Sequence, residues 1–363
     1  MPRGFAVLPD EYRVADEKEL AARIAAGKKK YAGKLLILAH HYQRLEIVRF
    51  GDHVGDSYGL AKLAGKSSYA DNIIFCGVMF MAEAADILSG PDQRVFLPNP
   101  DAGCPMADMA PAEHVYQAWE SISMIAGPDR IIPVSYMNST AELKAFTGIN
   151  GGLICTSTNA EAAFRWAFER GEKIFFFPDQ HLGRNTAKKF GVAKDRIVLY
   201  DRSRPGGGLS EDEIRKARLI LWSGSCYVHT KFTPQDIDRW RDKEPDVKIV
   251  VHPECTQEVV DKADAAGSTS FIVKFVENAP AGSVIAIGTE LNLVHRLAVN
   301  HPDKRIFELS GDTCPICSNM FRTSQADLCF TIENLDKANL VIVPEDIKAD
   351  ARIALERLLE IGK

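Results

Sequence analysis

The chain reads as an α/β protein of parallel sheets, organised as three related units. Three observations predict this. Short apolar runs of strand length alternate with amphipathic, helix-length segments along the whole sequence, the pattern that produces parallel sheets. Polar clusters stand where several of these runs end. Each third of the chain also follows a strand with a cysteine: Cys104 comes after the run 94–97, Cys226 after 219–222 and Cys317 after 305–309. Thiolates so far apart in sequence can meet only if three similar units converge their strand ends on one point. The expected units are residues 1–112, 113–232 and 233–339, with a C-terminal segment 340–363 that joins the first.

Composition bounds the reading. A chain of 363 residues is long for one core. Its 46% apolar, 26% charged and 9% aromatic residues describe an ordinary globular protein. The net charge of −5 argues against a nucleic-acid partner, while local basic pockets for small anions remain allowed. No apolar run reaches the length of a membrane span, and 1–10 lacks the pattern of a signal peptide, so a cytoplasmic location is expected. In a reducing compartment the eight cysteines are metal-binding, catalytic or buried, and not a disulfide framework.

Taken in order, 17–31 is an amphipathic helix with a basic end that suits the helix dipole. The run 34–39 is a buried strand that ends in His40-His41-Tyr42-Gln43. In 51–57, Asp56 or Ser57 caps a helix to about residue 64. Strand 72–78 and helix 80–88 follow, and a Pro/Gly-rich loop after 94–97 delivers Cys104. Helix 112–124 bridges to strand 131–135 and to Tyr136, Met137 and Asn138. Strand 152–155 ends at Ser157, ahead of helix 160–168. Strand 173–177 is followed by a loop over 178–184, and 201–210 reads as a flexible surface excursion. After strand 219–222 come Cys226 and His229. Helix 234–243 leads to strand 247–251 and to His252, Pro253 and Glu254. Thr269 precedes the apolar run 271–276, strand 283–287 leads to Gly288-Thr289-Glu290, and 351–361 is a last helix.

Strand-end polar residues beside three thiolates make a polar pocket. Three soft thiolates without a fourth protein ligand suit a cubane iron–sulfur cluster with one open iron, or a catalytic zinc. A zinc hydrolase and a redox-sensing cluster protein both remain compatible with the cysteines alone. Taken singly, each His or Ser is also an ordinary strand-end residue, and Ser57 an ordinary cap.

The residue strings narrow the choice. Leu38-Ala39-His40-His41-Tyr42-Gln43, Gly55-Asp56-Ser57, Phe75 to Glu83, Ala102-Gly103-Cys104-Pro105-Met106-Ala107-Asp108 and Tyr136-Met137-Asn138-Ser139-Thr140 recur in this order. They are followed by Cys155-Thr156-Ser157, Pro178-Asp179-Gln180-His181-Leu182-Gly183, Val251-His252-Pro253-Glu254-Cys255, Gly267 to Ser270, Ile287-Gly288-Thr289-Glu290 and Cys317-Ser318-Asn319-Met320. Together, from about residue 34 to 335, they closely resemble the quinolinate synthase family.

The resemblance implies three pseudo-symmetric αβα sandwich units around a 4Fe-4S cluster held by Cys104, Cys226 and Cys317. It implies condensation of iminoaspartate with dihydroxyacetone phosphate to quinolinate, a step of NAD biosynthesis, and transient contact with an enzyme that supplies the imine. Another cluster-dependent dehydratase is the alternative. Matching motifs assign the pocket to His40, Tyr42, Ser57, Tyr136, Met137, Asn138, Ser157, His229, His252, Pro253, Glu254 and Thr269. Glu254 is the expected acid/base group, with Tyr42 and Tyr136 positioning the intermediate. The chain departs from the family in an extended 203–217 segment and in Met79, where histidine or arginine is common. Cys314 forms a C-x-x-C pair with Cys317, a spacing open to redox chemistry; Cys317 is taken as the ligand because Ser318-Asn319-Met320 follows it.

Overall fold

The computed structural model describes residues 6–311 and 313–362. The leader-free reading of 1–10 therefore falls partly outside it, as does Asp312 in the stretch that leads to Cys314 and Cys317. Its strands, in chain order, are β1 (Leu35–His40), β2 (His53–Gly55), β3 (Asn72–Cys76), β4 (Arg94–Phe96), β5 (Ile131–Tyr136), β6 (Leu153–Cys155), β7 (Lys173–Phe177), β8 (Ile197–Tyr200), β9 (Leu219–Trp222), β10 (Lys248–Val251), β11 (Ala265–Ala266), β12 (Val284–Gly288), β13 (Arg305–Glu308) and β14 (Leu340–Val341). They form three helix-flanked sheets, ordered β14-β4-β3-β1-β2, β6-β5-β7-β9-β8 and β11-β10-β12-β13. β3, β7 and β9 are buried from end to end and β1 over all but its first residue, as apolar runs in doubly covered parallel sheets must be.

The chain divides into two compact units. The first comprises residues 1–104, 290–296 and 316–345 and holds the first sheet; the second comprises 105–289, 297–315 and 346–363 and holds the other two. Every pairing is parallel except β14 with β4, which is antiparallel, so the first sheet carries one reversed edge strand that the alternation of strands and helices did not signal. The C-terminal segment is shared. Its strand β14 pairs in the first unit. Its helix Glu345–Ile361 packs in the second, where a side chain at Gly148 would meet the Asp350 backbone and the Arg357 guanidinium donates to the Gly148 and Gly152 carbonyls.

In the first unit, helix Glu17–Lys30 is capped by Asp16, whose carboxylate accepts from the Lys18 and Glu19 amides. The core gathers Ile24, Ile37, Ile74, Phe96, Leu328 and Ile332. In the second unit, Phe175, Phe177, Trp222 and Ile131 form one core and Trp240, Ile249, Val251 and Leu309 another.

One local reading changes. Residues 178–184 do not form a loop: Asp179 caps a helix over Gln180–Lys189. The 201–210 segment lies largely exposed, as a surface excursion should, with a short helical turn at Pro205–Gly208. Gly207, at φ +69°, lies so close to the Tyr200 ring that no side chain fits, and Tyr200 stacks on Trp222 at 5.6 Å.

Candidate active site

In the second unit, the carboxyl ends of two parallel sheets bring five of the expected residues into one buried cluster, where open α/β sheets bind ligands. Tyr136 closes β5, Ser157 follows β6, His229 follows β9, and His252 and Glu254 follow β10. Glu254 is the hub. Its Oε1 accepts from the Tyr136 hydroxyl at 2.5 Å and its Oε2 from Nδ1 of His229 at 2.7 Å. Nε2 of His229 lies 3.2 Å from the Thr289 hydroxyl beyond β12. The His229 and His252 rings stack at 4.4 Å, and Nε2 of His252 is 3.2 Å from the Ser157 hydroxyl. The Glu254 amide lies 3.4 Å from Nδ1 of His252.

Electrostatics fix the charge of this hub. Burial pushes the Glu254 carboxyl up, but the charges of His229 and His252 and the hydrogen bonds from His229 and Tyr136 outweigh it and hold the group at about 2. Glu254 is thus an ionised carboxylate with only 3% of its surface exposed, satisfied by a tyrosine and an imidazole. A proton on either neighbour has a short path to it.

The remaining expected residues of this unit lie nearby in sequence. Met137 is buried and Asn138 half-buried on the turn after β5. The Pro253 carbonyl accepts from Nδ2 of Asn185 at 2.8 Å, and Thr269 is buried at the first position of helix Thr269–Asn278, capped by Ser268. In the first unit, Nδ1 of His40 accepts from the Tyr42 amide at 3.1 Å and the two rings meet edge-on at 4.9 Å. Ser57 opens helix Ser57–Ala64, and Asp56 supplies the cap.

The thiols sort by burial. Cys76, Cys155, Cys255 and Cys329 are buried, and desolvation pushes each above its usual range, Cys76 and Cys329 to about 12. These behave as small apolar side chains. Cys104, Cys226 and Cys317 are half-exposed and Cys314 is exposed, so burial leaves four thiols from which a three-ligand donor set can be drawn. Ligand atoms of Cys226, His229 and Glu254 lie within 4.8 Å of one another, close enough to share one metal ion.

Four contributors had no assigned role in the sequence reading: Thr289, Glu290, Asp179 and Arg296. Three of them stood inside motif strings, yet only packing shows what they touch. Glu290 is buried, and desolvation raises its carboxyl to about 7 against hydrogen bonds from Cys317 and Asn292. Asp179 is raised by burial and by the nearby Glu254 carboxylate, against the amides of Leu182, His181 and Cys226.

In an α/β protein, a half-exposed cysteine beside a buried carboxylate–imidazole–phenol cluster is the equipment of an enzyme that moves protons. Comparison makes this particular. The quinolinate synthetase A protein family model matches residues 22–360, and the chain belongs to that family. It is 49% identical to the quinolinate synthase of Corynebacterium glutamicum over 98% of this chain and 91% of that one. It is 45% identical to that of Bacillus subtilis over 98% and 96%, and 48% identical to that of Streptomyces coelicolor over 97% and 91%.

Proposed function

We propose that the protein joins iminoaspartate to dihydroxyacetone phosphate, releasing phosphate and water to give quinolinate for NAD biosynthesis, in the cytoplasm. The family match across residues 22–360 carries this reading, and the Glu254 cluster supplies the chemistry it needs. Cys104, Cys226 and Cys317 would hold a 4Fe-4S cluster, one from each of the units 1–112, 113–232 and 233–339. When bound, its open iron acts as a Lewis acid on a substrate oxygen.

The chain's own residues do the rest. Glu254, ionised and held by Tyr136 and His229, takes up a proton released as the condensed intermediate loses water, and His229 or Tyr136 returns one to a leaving hydroxyl. His252 and Ser157 present Nε2–H and a hydroxyl to carboxylate or phosphate oxygens, and Asn138 and Thr269 extend that donor set. His40, Tyr42 and Ser57 offer the first unit's donors, while Met137 and Pro253 shape the backbone around them. Neutral and imidazole donors hold dianionic substrates despite the net charge of −5.

Anaerobically purified protein given both substrates should form quinolinate and absorb in the visible-blue region. A colourless protein that binds zinc and forms no quinolinate overturns the reading in favour of a zinc site. A transient contact with an imine-supplying enzyme follows from the lability of the imine.

A further inference from the structure

Two buried carboxylates that the proposed chemistry leaves unused lie directly under the ligand-bearing loops. In the first unit, Oε1 of Glu290 accepts from the Cys317 amide at 3.2 Å and from Nδ2 of Asn292 at 2.8 Å, and Oε2 accepts from the Asn292 amide at 2.8 Å. Arg296, on the helix that Glu290 precedes, donates to the His41 carbonyl and to Nδ1 of His41, each at 2.9 Å. Nε2 of Gln43 donates to the Met320 carbonyl at 2.9 Å. The loop with His40 and Tyr42 and the turn with Cys317 are thus fastened to one buried framework.

The second unit places a buried carboxylate behind a cysteine loop in a related way. Asp179 is fully buried, and its Oδ1 accepts from the Leu182 amide at 2.7 Å. The Gln180 amide donates to the Gly224 carbonyl at 2.9 Å, and a side chain at Gly224 would collide with the Pro178 carbonyl. The start of the Gln180–Lys189 helix, which Asp179 caps, therefore abuts the loop of Cys226.

We propose that Glu290 and Asp179 are positioning residues for Cys317 and Cys226. Glu290 receives the Cys317 amide, and Asp179 caps the helix whose first amide holds the Cys226 loop at Gly224, so each fixes the direction in which the cysteine's Cα–Cβ bond leaves the chain. With that bond fixed, Sγ has only a few staggered positions left, and the ligand geometry exists before metal arrives. A carboxylate is a costly choice for this task inside a protein, because it must be desolvated. Its advantage is acceptor capacity: Glu290 binds three N–H groups at once, which a hydroxyl could not do.

The inference rests on Cys226 and Cys317 being cluster ligands. It separates position from charge through paired variants. Glu290→Gln keeps an acceptor at the same reach and removes the charge; Glu290→Asp keeps the charge and withdraws the acceptor by one methylene. Asp179→Asn and Asp179→Ala make the corresponding pair, since asparagine caps a helix as well as aspartate does. The readout is the rate at which visible absorbance decays when anaerobic, cluster-loaded protein meets an iron chelator, with the unfolding temperature of the cluster-free protein as the control for fold.

Glu290→Gln and Asp179→Asn are expected to lose the cluster within about threefold of the wild-type rate, and Glu290→Asp and Asp179→Ala at least about tenfold faster, the scale on which groups behind metal ligands act. A Glu290→Asp protein as firm as wild type, or a Glu290→Gln protein that loses the cluster as fast as Glu290→Asp, overturns the inference while leaving the cluster itself in place. A wild-type protein that takes up no iron and sulfide overturns the ligand assignment, and the inference with it.

Discussion

The expected site residues of the two units are held differently. In the second, side chains bind one another: Glu254 holds Tyr136 and His229, and His252 faces Ser157. In the first, charged side chains fasten the backbone: Arg296 holds the His41 carbonyl, Glu290 the Cys317 amide, Arg44 the Thr323 carbonyl and Asp86 the Val343 amide. Side-chain networks set proton affinities, as the Glu254 carboxylate held at about 2 illustrates. Backbone anchoring sets the shape of loops. The difference teaches that damage at the Glu254 cluster should strike chemistry, and damage at the backbone anchors of the first unit should strike geometry and stability.

The largest expected effect removes a ligand. Cys104→Ser, Cys226→Ser and Cys317→Ser should each lose the iron–sulfur cluster outright, whereas serine at the buried Cys76, Cys155, Cys255 or Cys329 should leave it in place. Iron and sulfide counts on anaerobically purified variants decide this, and a folded, cluster-free Cys155→Ser protein would contradict the sorting by burial.

Next come His252 and Ser157, the proposed anion donors of the second unit. His252→Ala and Ser157→Ala should weaken quinolinate binding by about 1 to 3 kcal/mol each, the scale of one hydrogen bond lost from a charged partner. Calorimetric titration of cluster-loaded protein measures it. Unchanged affinity in both variants would move the anion site away from this pair.

The smallest effect tests the first unit. Burial and the Arg296 charge lower the His41 imidazole from its ordinary 6.5 to about 4, against the pull of Asp56. Below pH 6.5 an unfolded chain protonates this group and the folded chain does not, so folding stability present at neutral pH is lost as pH falls toward 4. For this one residue the loss should be about 1 to 2 kcal/mol by pH 5. Denaturant titration of cluster-free wild type and His41→Gln across pH 7.5 to 5 reads it. Identical pH slopes would show that His41 is not held neutral.

Much of this architecture is legible before any coordinates. Lys173–Phe177, Leu219–Trp222, Ala160–Phe168 and Pro234–Lys243 fall where their apolar period and caps place them. The helix Gln180–Lys189 was hidden because its buried face is made partly of Asn185 and Thr186, which break the apolar period a helix normally shows. Helix Gln325–Glu333 was hidden for the opposite reason, being buried on almost every side. Among site residues, Tyr136, Ser157, His229, His252 and Glu254 were visible as polar groups at strand ends. Glu290, Asp179 and Arg296 were not, because a backbone partner leaves no trace in sequence: Cys317 offers the same amide as any other residue.

The central claim is the proposal that Glu254 carries protons in a preformed cluster. Single-turnover formation of quinolinate by anaerobic, cluster-loaded Glu254→Gln tests it most directly, with product affinity and iron content measured on the same sample. The variant should keep its cluster and bind quinolinate within a few-fold of wild type while turning over roughly 100-fold to 10,000-fold more slowly, the scale of a removed acid/base group. Turnover near the wild-type rate, or loss of the cluster with the substitution, would contradict it.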